Sequence, residues 1–90
     1  MSTVYRHRTD GTLRTCERFD VGVQPWPAGV RETTREHPRA RHELVVKGHP
    51  LGGIFIEDGE WIVRASSREF VDVVYGDESF QHWYEPAEAP

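Results

Sequence analysis

Cysteine is almost absent from this chain. Cys16 is the single one among ninety residues, so no intramolecular disulfide can brace the fold and a multi-cysteine metal site is excluded. Lysine is equally scarce, with Lys47 alone against ten arginines, a ratio that a GC-rich coding sequence produces without selection for guanidinium chemistry. No apolar run approaches the ~18 residues that a membrane span requires, and the N-terminal stretch MSTVYRHRTDG has no apolar segment behind its charges to make a signal peptide. These absences lead us to expect a cytoplasmic protein in a reducing compartment, with no membrane association. No internal repeat or low-complexity block occurs.

What is present points to a small folded domain. A chain of this length buries only about 60–65% of the surface that its unfolded form exposes, so the core is thin. Apolar residues make up 37% of the chain, and Trp26, Trp61, Trp83, Phe19, Phe55, Phe70 and Phe80 are its bulkiest members. Rings of that size must carry much of the burial. A net charge of −4 is too small to favour disorder. The charge is uneven: residues 1–52 carry nine basic against six acidic side chains, and residues 53–90 carry two against nine. Opposite faces of opposite sign would follow if the fold kept the halves apart.

The pattern of turns and alternation predicts a mostly β, α+β fold. It consists of a small antiparallel sheet or partly open barrel of about five or six strands with a short C-terminal helix. Residues 1–85 form one domain and 86–90 an acidic, proline-containing tail. Thr3–Arg8 and Thr12–Phe19 read as a hairpin around Asp10-Gly11. Val21 and Val23 extend the alternation to Gln24, and Pro25-Trp26-Pro27-Ala28-Gly29 stops the ladder for want of amide donors. Residues Val30–His42 are expected to be an exposed loop or short helix, because Pro38 interrupts them and apolar side chains are few.

Further along, Glu43–Lys47 reads as a strand and His49–Gly53 as a turn. Ile54–Glu57 and Trp61–Ala65 flank Asp58-Gly59 as a second hairpin. Glu69–Tyr75, rich in valine, reads as a strand, although Ser66-x-x-Glu69 has the spacing of a helix capping box. Asp77 is the expected N-cap of a helix to Tyr84, with Phe80, Trp83 and Tyr84 on its buried face.

The run Gly59-Glu-Trp-Ile-Val-Arg64, then Arg68-Glu-Phe70, then Asp77-Glu-Ser-Phe-Gln-His-Trp-Tyr-Glu-Pro86 resembles a family of small, uncharacterised bacteriophage proteins. Their pattern is G-D-W-I-x-x-G, G-E-F and P-D-x-F-x-x-x-Y-E-P. Val23-Gln24-Pro25-Trp26 is similar to the V-Q-W that ends that family's first strand, with Pro25 inserted. Glu60 replaces an Asp, Ala65 and Arg68 each replace a Gly, and Gly76 stands where a Pro is usual. The resemblance covers about the last third of the chain. It implies a phage or prophage origin and a compact accessory role, and it carries over no catalytic residue.

Catalytic chemistry has little to build on. His37, His42 and His49 are close in sequence, yet Pro38 spoils a helical alignment of the first two, and no second histidine completes a metalloprotease motif. Cys16 lies mid-strand with no cationic cluster to activate it. Glu57, Asp58 and Glu60, at a hairpin tip, are expected to be solvated and ordinary in pKa. No spaced glycines and lysine form a phosphate cradle. We therefore expect no enzyme and no cofactor.

The one concentrated basic stretch holds Arg31, Arg35, Arg39 and Arg41 with His37 and His42 between them. Guanidinium forks suit phosphates, but Glu32, Glu36 and Glu43 partly neutralise the stretch. The residues expected to bind are Trp26, Arg35, His37, Arg39, Arg41 and His42; Trp26 on its proline-flanked loop and Trp83 near the C-terminus are both candidates for partial exposure, with core packing favoured more for Trp83 than for Trp26. The preferred reading is a non-catalytic binder of a host or phage protein, for instance one that inhibits a host defence or regulatory protein. The alternative is a module that binds nucleic acid or an anionic nucleotide through Arg31–Arg41. A homodimer would give such a thin core additional burial.

Overall fold

The computed structural model describes residues 3–65 and 71–87. Eight strands and one helix are present among them. In chain order they are β1 (Thr3–His7), β2 (Leu13–Arg18), β3 (Val30–Glu32), β4 (His42–Val45), β5 (Gly53–Ile56), β6 (Trp61–Ala65), β7 (Val71–Val74), α1 (Asp77–Trp83) and β8 (Tyr84–Pro86). The strands form a five-stranded sheet, ordered β7-β6-β2-β1-β8, and a three-stranded sheet, ordered β3-β4-β5. Every pairing is antiparallel. The mostly β class and the short C-terminal helix are as the sequence implies. The sheet does not close into a barrel.

The large sheet is the middle layer because its strands are apolar on both faces. Ile62 and Val63 are adjacent, so their side chains point to opposite sides. Ile62 joins Phe19, Leu44, Ile56 and Val73 between the two sheets, with Trp26, Val30 and Ile54 packed around them. Val63 joins Cys16, Phe80 and Tyr84 beneath the helix, with Tyr5, Trp61 and Val74 at the margin. On the helix side Trp61 and Phe80 stack with ring centroids 3.9 Å apart, and Tyr5 meets Phe80 edge-on at 4.8 Å. The helix carries the chain over this face from the β7 edge to the β8 edge.

The first hairpin forms where Asp10-Gly11 places it. Gly11 N donates to His7 O at 2.9 Å and His7 N donates to Thr12 O at 2.8 Å. The second expected hairpin does not exist, because β5 pairs with β4 in the small sheet and β6 pairs with β2 and β7 in the large one. Asp58-Gly59 instead turns an arch between sheets, with Ile56 and Ile62 both directed into the layer that the sheets share. The arch closes on the end of β2: Phe19 N donates to Glu60 O at 2.8 Å and Gly59 N to Phe19 O at 2.7 Å. The real partner of β5 is reached through the His49–Gly52 turn, where Gly52 N donates to His49 O at 2.9 Å.

Other expectations need correction. Val30–His42 is no helix: Val30–Glu32 is a strand, His42 opens β4, and 33–41 is an irregular loop. Val21 and Val23 lie outside any strand, in a turn that exposes both side chains. Gly76, not Asp77, is the N-cap; its φ of +87° suits glycine. Asp77 is the first helical residue and accepts hydrogen bonds from Trp61 Nε1 at 2.7 Å and Arg18 Nε at 3.1 Å. Trp83 is 45% exposed and Tyr84 begins a strand, so only Phe80 fills the helix's buried face. Glu85 and Pro86, assigned to the tail or its edge, pair with β1, and Ala87 N donates to Val4 O. Val71–Val74 is a strand as expected; the Ser66–Glu69 capping box lies outside the described residues.

The two oppositely charged halves of the sequence interleave in the large sheet, which prevents separate faces of one sign. Arg6 and Arg8 pair with Glu85, and Arg18 pairs with Asp20 and Asp77. No helix among the described residues is long and apolar enough to cross a membrane.

Candidate functional site

The outer face of the small sheet organises the site. Register places Arg31, Glu43 and Phe55 side by side across the three strands, while Val30, Leu44 and Ile54 face inward. Loop 33–41 returns over the outer row. Arg35 is its anchor: Nη2 donates to Glu43 Oε2 and to the Gly53 carbonyl oxygen, each at 3.0 Å. The guanidinium carbon sits 4.2 Å from the Phe55 ring centre, a cation–π contact. Arg35 Nε is buried without a hydrogen-bond partner.

Glu43 is 3% exposed and is bracketed by guanidinium groups, Arg35 at 3.0 Å and Arg31 at 3.5 Å. Burial pushes its carboxyl up, but hydrogen bonds from Arg35 and Thr33 and the two positive charges outweigh this and hold it below the usual glutamate range. Gly53 permits the arrangement, since a Cβ there would overlap the Leu44 carbonyl oxygen and lie 3.2 Å from Glu43 Oε2.

The six residues expected to bind separate into two groups. Arg35, His37, Arg39 and Arg41 belong to the outer loop. His37 Nδ1 accepts from Arg39 N at 3.1 Å and Ala40 N at 2.8 Å, and its ring lies 4.5 Å from that of Phe55. Arg41 donates to its own loop, to His37 O at 3.3 Å. Arg39 is the free-standing one, reaching Glu57 only at 3.9 Å with a side chain 79% exposed.

Trp26 and His42 lie on the opposite, inner side. His42 packs between Phe19 and Trp26, at 5.2 and 4.8 Å, and Trp26 Nε1 donates to Val21 O at 3.0 Å. Both are packing residues of the inter-sheet layer. The expected ranking of the two tryptophans is thereby reversed, with Trp26 packed against the core and Trp83 at the surface.

Two clefts flank the loop and share His37 and Ala40. One, about 590 Å³, is bounded by Thr33, Arg35, Glu36, Pro38 and Arg41. The other, about 440 Å³, opens between the loop and the inter-sheet arch and is bounded by Arg39, Phe55, Glu57, Glu60 and Tyr75. Glu60 is not the solvated carboxylate that its turn position implies, being 6% exposed. Its Oε1 accepts from Glu57 N at 2.6 Å. Burial first, and then the nearby charge of Glu57, push its carboxyl above the ordinary value. The sequence signal for this residue is Glu57-Asp-Gly-Glu60, in which a side chain three residues on can satisfy an amide of the turn.

Elsewhere, Trp83 stacks on His7 at 5.7 Å beside a further cleft of about 440 Å³ on the helix side. Among the described residues no three of His, Cys, Asp and Glu converge to hold a metal ion. No family model, no curated protein and no solved structure matches this chain.

Proposed function

We propose that this protein acts by non-catalytic binding, as a small accessory protein of bacteriophage type. It presents loop 33–41 and its two clefts to a protein of the host or the phage in the cytoplasm. The observation that carries this reading is the bracing of the loop. Arg35 ties it to Glu43, Gly53 and Phe55, so the surface between the clefts is held before a partner arrives and little ordering entropy opposes docking. The buried Cys16 thiol and the turn-forming role of His37 support a surface that binds without reacting. Inhibition of a host defence or regulatory protein is the biological role that suits such a surface, by occupying the site that its target needs.

Affinity capture from host lysate tests the proposal, with Arg39→Ala and Arg41→Ala baits as controls. Both side chains are exposed, so their loss leaves the fold intact. A partner retained by the native protein and released by either variant supports the reading; equal retention by all three baits removes the loop from it.

A second reading, binding of nucleic acid or an anionic nucleotide, draws on the exposure of Arg31 and Arg39. It predicts affinity that falls steeply with salt. Against it, Arg31 and Arg35 are already committed to Glu43, and carboxylates line the cleft beside Arg39.

A further inference from the structure

The cleft of about 440 Å³ on the helix side is bordered by polar groups that the fold leaves unused. Tyr84 is among them. The residue is 8% exposed, and its ring is fixed between Phe80, at 5.3 Å, and His7, at 5.1 Å. Its hydroxyl nevertheless makes no hydrogen bond among the described residues. Nor is that oxygen sealed in the core, since Arg35 Nε is the one side-chain atom there that is both buried and unpartnered. The hydroxyl of a nine-tenths buried residue thus opens into the cleft that Tyr84 borders, where the chain supplies it with no partner.

Asp72 faces the same cleft. Its Oδ1 accepts from Val73 N at 2.8 Å, and its Oδ2 accepts nothing among the described residues. Burial first, with Cys16 and Asp72 adding to it, pushes the Tyr84 hydroxyl above the ordinary tyrosine value. The carboxylate is therefore within electrostatic reach of the hydroxyl, which keeps its proton and can donate. Ser79 adds a second hydroxyl at the rim. Tyr75 is 67% exposed and offers a flat apolar surface, while Trp83 and His7, stacked at 5.7 Å, form a fixed wall.

These groups select among ligands. An anion would meet Asp72, and no arginine or lysine borders the cleft to offset it. A metal ion would lack ligands, because no three of His, Cys, Asp and Glu converge among the described residues. A purely apolar ligand would leave the Tyr84 hydroxyl and the Asp72 carboxylate desolvated and unpaired. What remains is an uncharged molecule that both donates and accepts hydrogen bonds. Adjacent hydroxyls on a ring do this, and an acidic side chain holds a ribose by the same chemistry.

We infer that this cleft binds an uncharged ring bearing a vicinal diol, as a sugar or a ribonucleoside does, with the diol donating to Asp72, a ligand oxygen accepting from the Tyr84 hydroxyl, and the ring lying along Tyr75. The cleft volume falls within the range of small-molecule sites. No residue of loop 33–41 borders it, so the inference does not rest on the docking role of that loop.

Titration of the isotopically labelled protein, following backbone amide shifts, tests this with maltose, methyl α-D-mannoside and adenosine as separate probes. At least one of them is expected to give saturable shifts at Asp72, Tyr75, Ser79 and Tyr84. Sugar binding alone assigns a glycan as the source of the diol, adenosine binding alone a ribonucleoside, and either supports the inference. Tyr84→Phe should leave the melting temperature unchanged, because nothing in the fold uses the hydroxyl, and should weaken binding roughly fivefold. Asp72→Asn, whose amide oxygen can still accept from Val73 N, should weaken it roughly tenfold, the effect of losing a hydrogen bond to a charged group.

The unliganded spectrum reports whether Asp72→Asn keeps the fold; if it does not, Tyr84→Phe suffices. Absence of saturable shifts with all three probes overturns the inference. So does 2′-deoxyadenosine, which lacks the diol, binding as tightly as adenosine, or an affinity indifferent to the variants that fold. Arg39→Ala, which is expected to release a protein partner from loop 33–41, should leave these affinities unchanged, so failure here and failure of the capture experiment are read separately.

Discussion

The Cys16 thiol is enclosed beneath the helix with Sγ 3.9 Å from the Arg14 carbonyl oxygen, and burial pushes its pKa up to about 12. Its thiolate is therefore scarce at neutral pH and inaccessible besides. Iodoacetamide at pH 8 should leave the native protein unmodified over the time in which the denatured chain is fully alkylated, as read by intact mass. The folded value lies above the ordinary 9.0, so the folded state keeps a proton that the unfolded chain releases. The stability contributed is whole below pH 9 and is lost as pH rises toward 12.

Glu43 behaves in the opposite sense. Its folded pKa is depressed below the ordinary 4.5, so its contribution is present above that value and is lost as the pH falls through the folded one. Glu43→Gln should lower stability at pH 7 by about 2 kcal/mol, because Arg35 is left with a neutral partner. The loss corresponds to roughly 10 °C in melting temperature for a domain of this size. The variant should also melt with a shallower dependence on pH below 4.5. Thermal melts of both proteins from strongly acidic to neutral pH check the two expectations together.

At the scale of elements, the small sheet depends on how closely β4 and β5 approach. A Cβ at Gly53 would strike the Leu44 carbonyl oxygen, so Gly53→Ala must force the strands apart and move the carbonyl that receives Arg35. We expect a loss of about 2–3 kcal/mol. Gly22→Ala, with nothing within 4 Å of its Cβ, should change stability by less than about 0.5 kcal/mol. Urea unfolding of the two variants measures the contrast.

The same elements show what could be read from sequence. Asp10-Gly11 and His49–Gly52 are legible as turns because the turn chemistry and the pairing that follows are both local. Asp58-Gly59 carries equally clear turn chemistry, yet it turns an arch. A dipeptide fixes the reversal of the chain but not whether the strands on either side share hydrogen bonds or face each other across a core, which Ile56 and Ile62 decide. The reversed ranking of Trp26 and Trp83 has a similar origin. Proline-flanked loops are usually solvated, but this one lies on Phe19 and His42, and the chain turns extended at Tyr84, so that Tyr84 enters the core while Trp83 stays at the surface. Glu60 is illegible as a buried residue for the same reason as the arch that buries it, whereas four of the six expected binding residues do share the outer loop.

For the whole molecule, the two apolar layers are joined through β6, where Ile62 and Val63 supply one side chain to each. Loosening one layer must then loosen the other. Trp26 reports on the inter-sheet layer and Trp61 on the helix side, so variants that keep only one tryptophan separate the signals. The fluorescence transitions of the two should coincide in urea. Ile62→Val, expected to cost about 1 kcal/mol, should move both midpoints by the same amount; a shift confined to Trp26 would mean that the layers unfold independently.

The hydrogen bonds that join Phe19 to Gly59 and Glu60 have an architectural consequence. β2 and β6 are antiparallel neighbours, so residues 20–59, the small sheet and its loop included, are the interior of one enlarged hairpin whose two ends touch. Within that stretch, loop 33–41 can be lengthened or varied without altering the order of the five strands that frame it. The five-stranded frame and loop 33–41 are thus separable within a single short chain, and a library that varies 33–41 would present new surfaces on an unchanged frame.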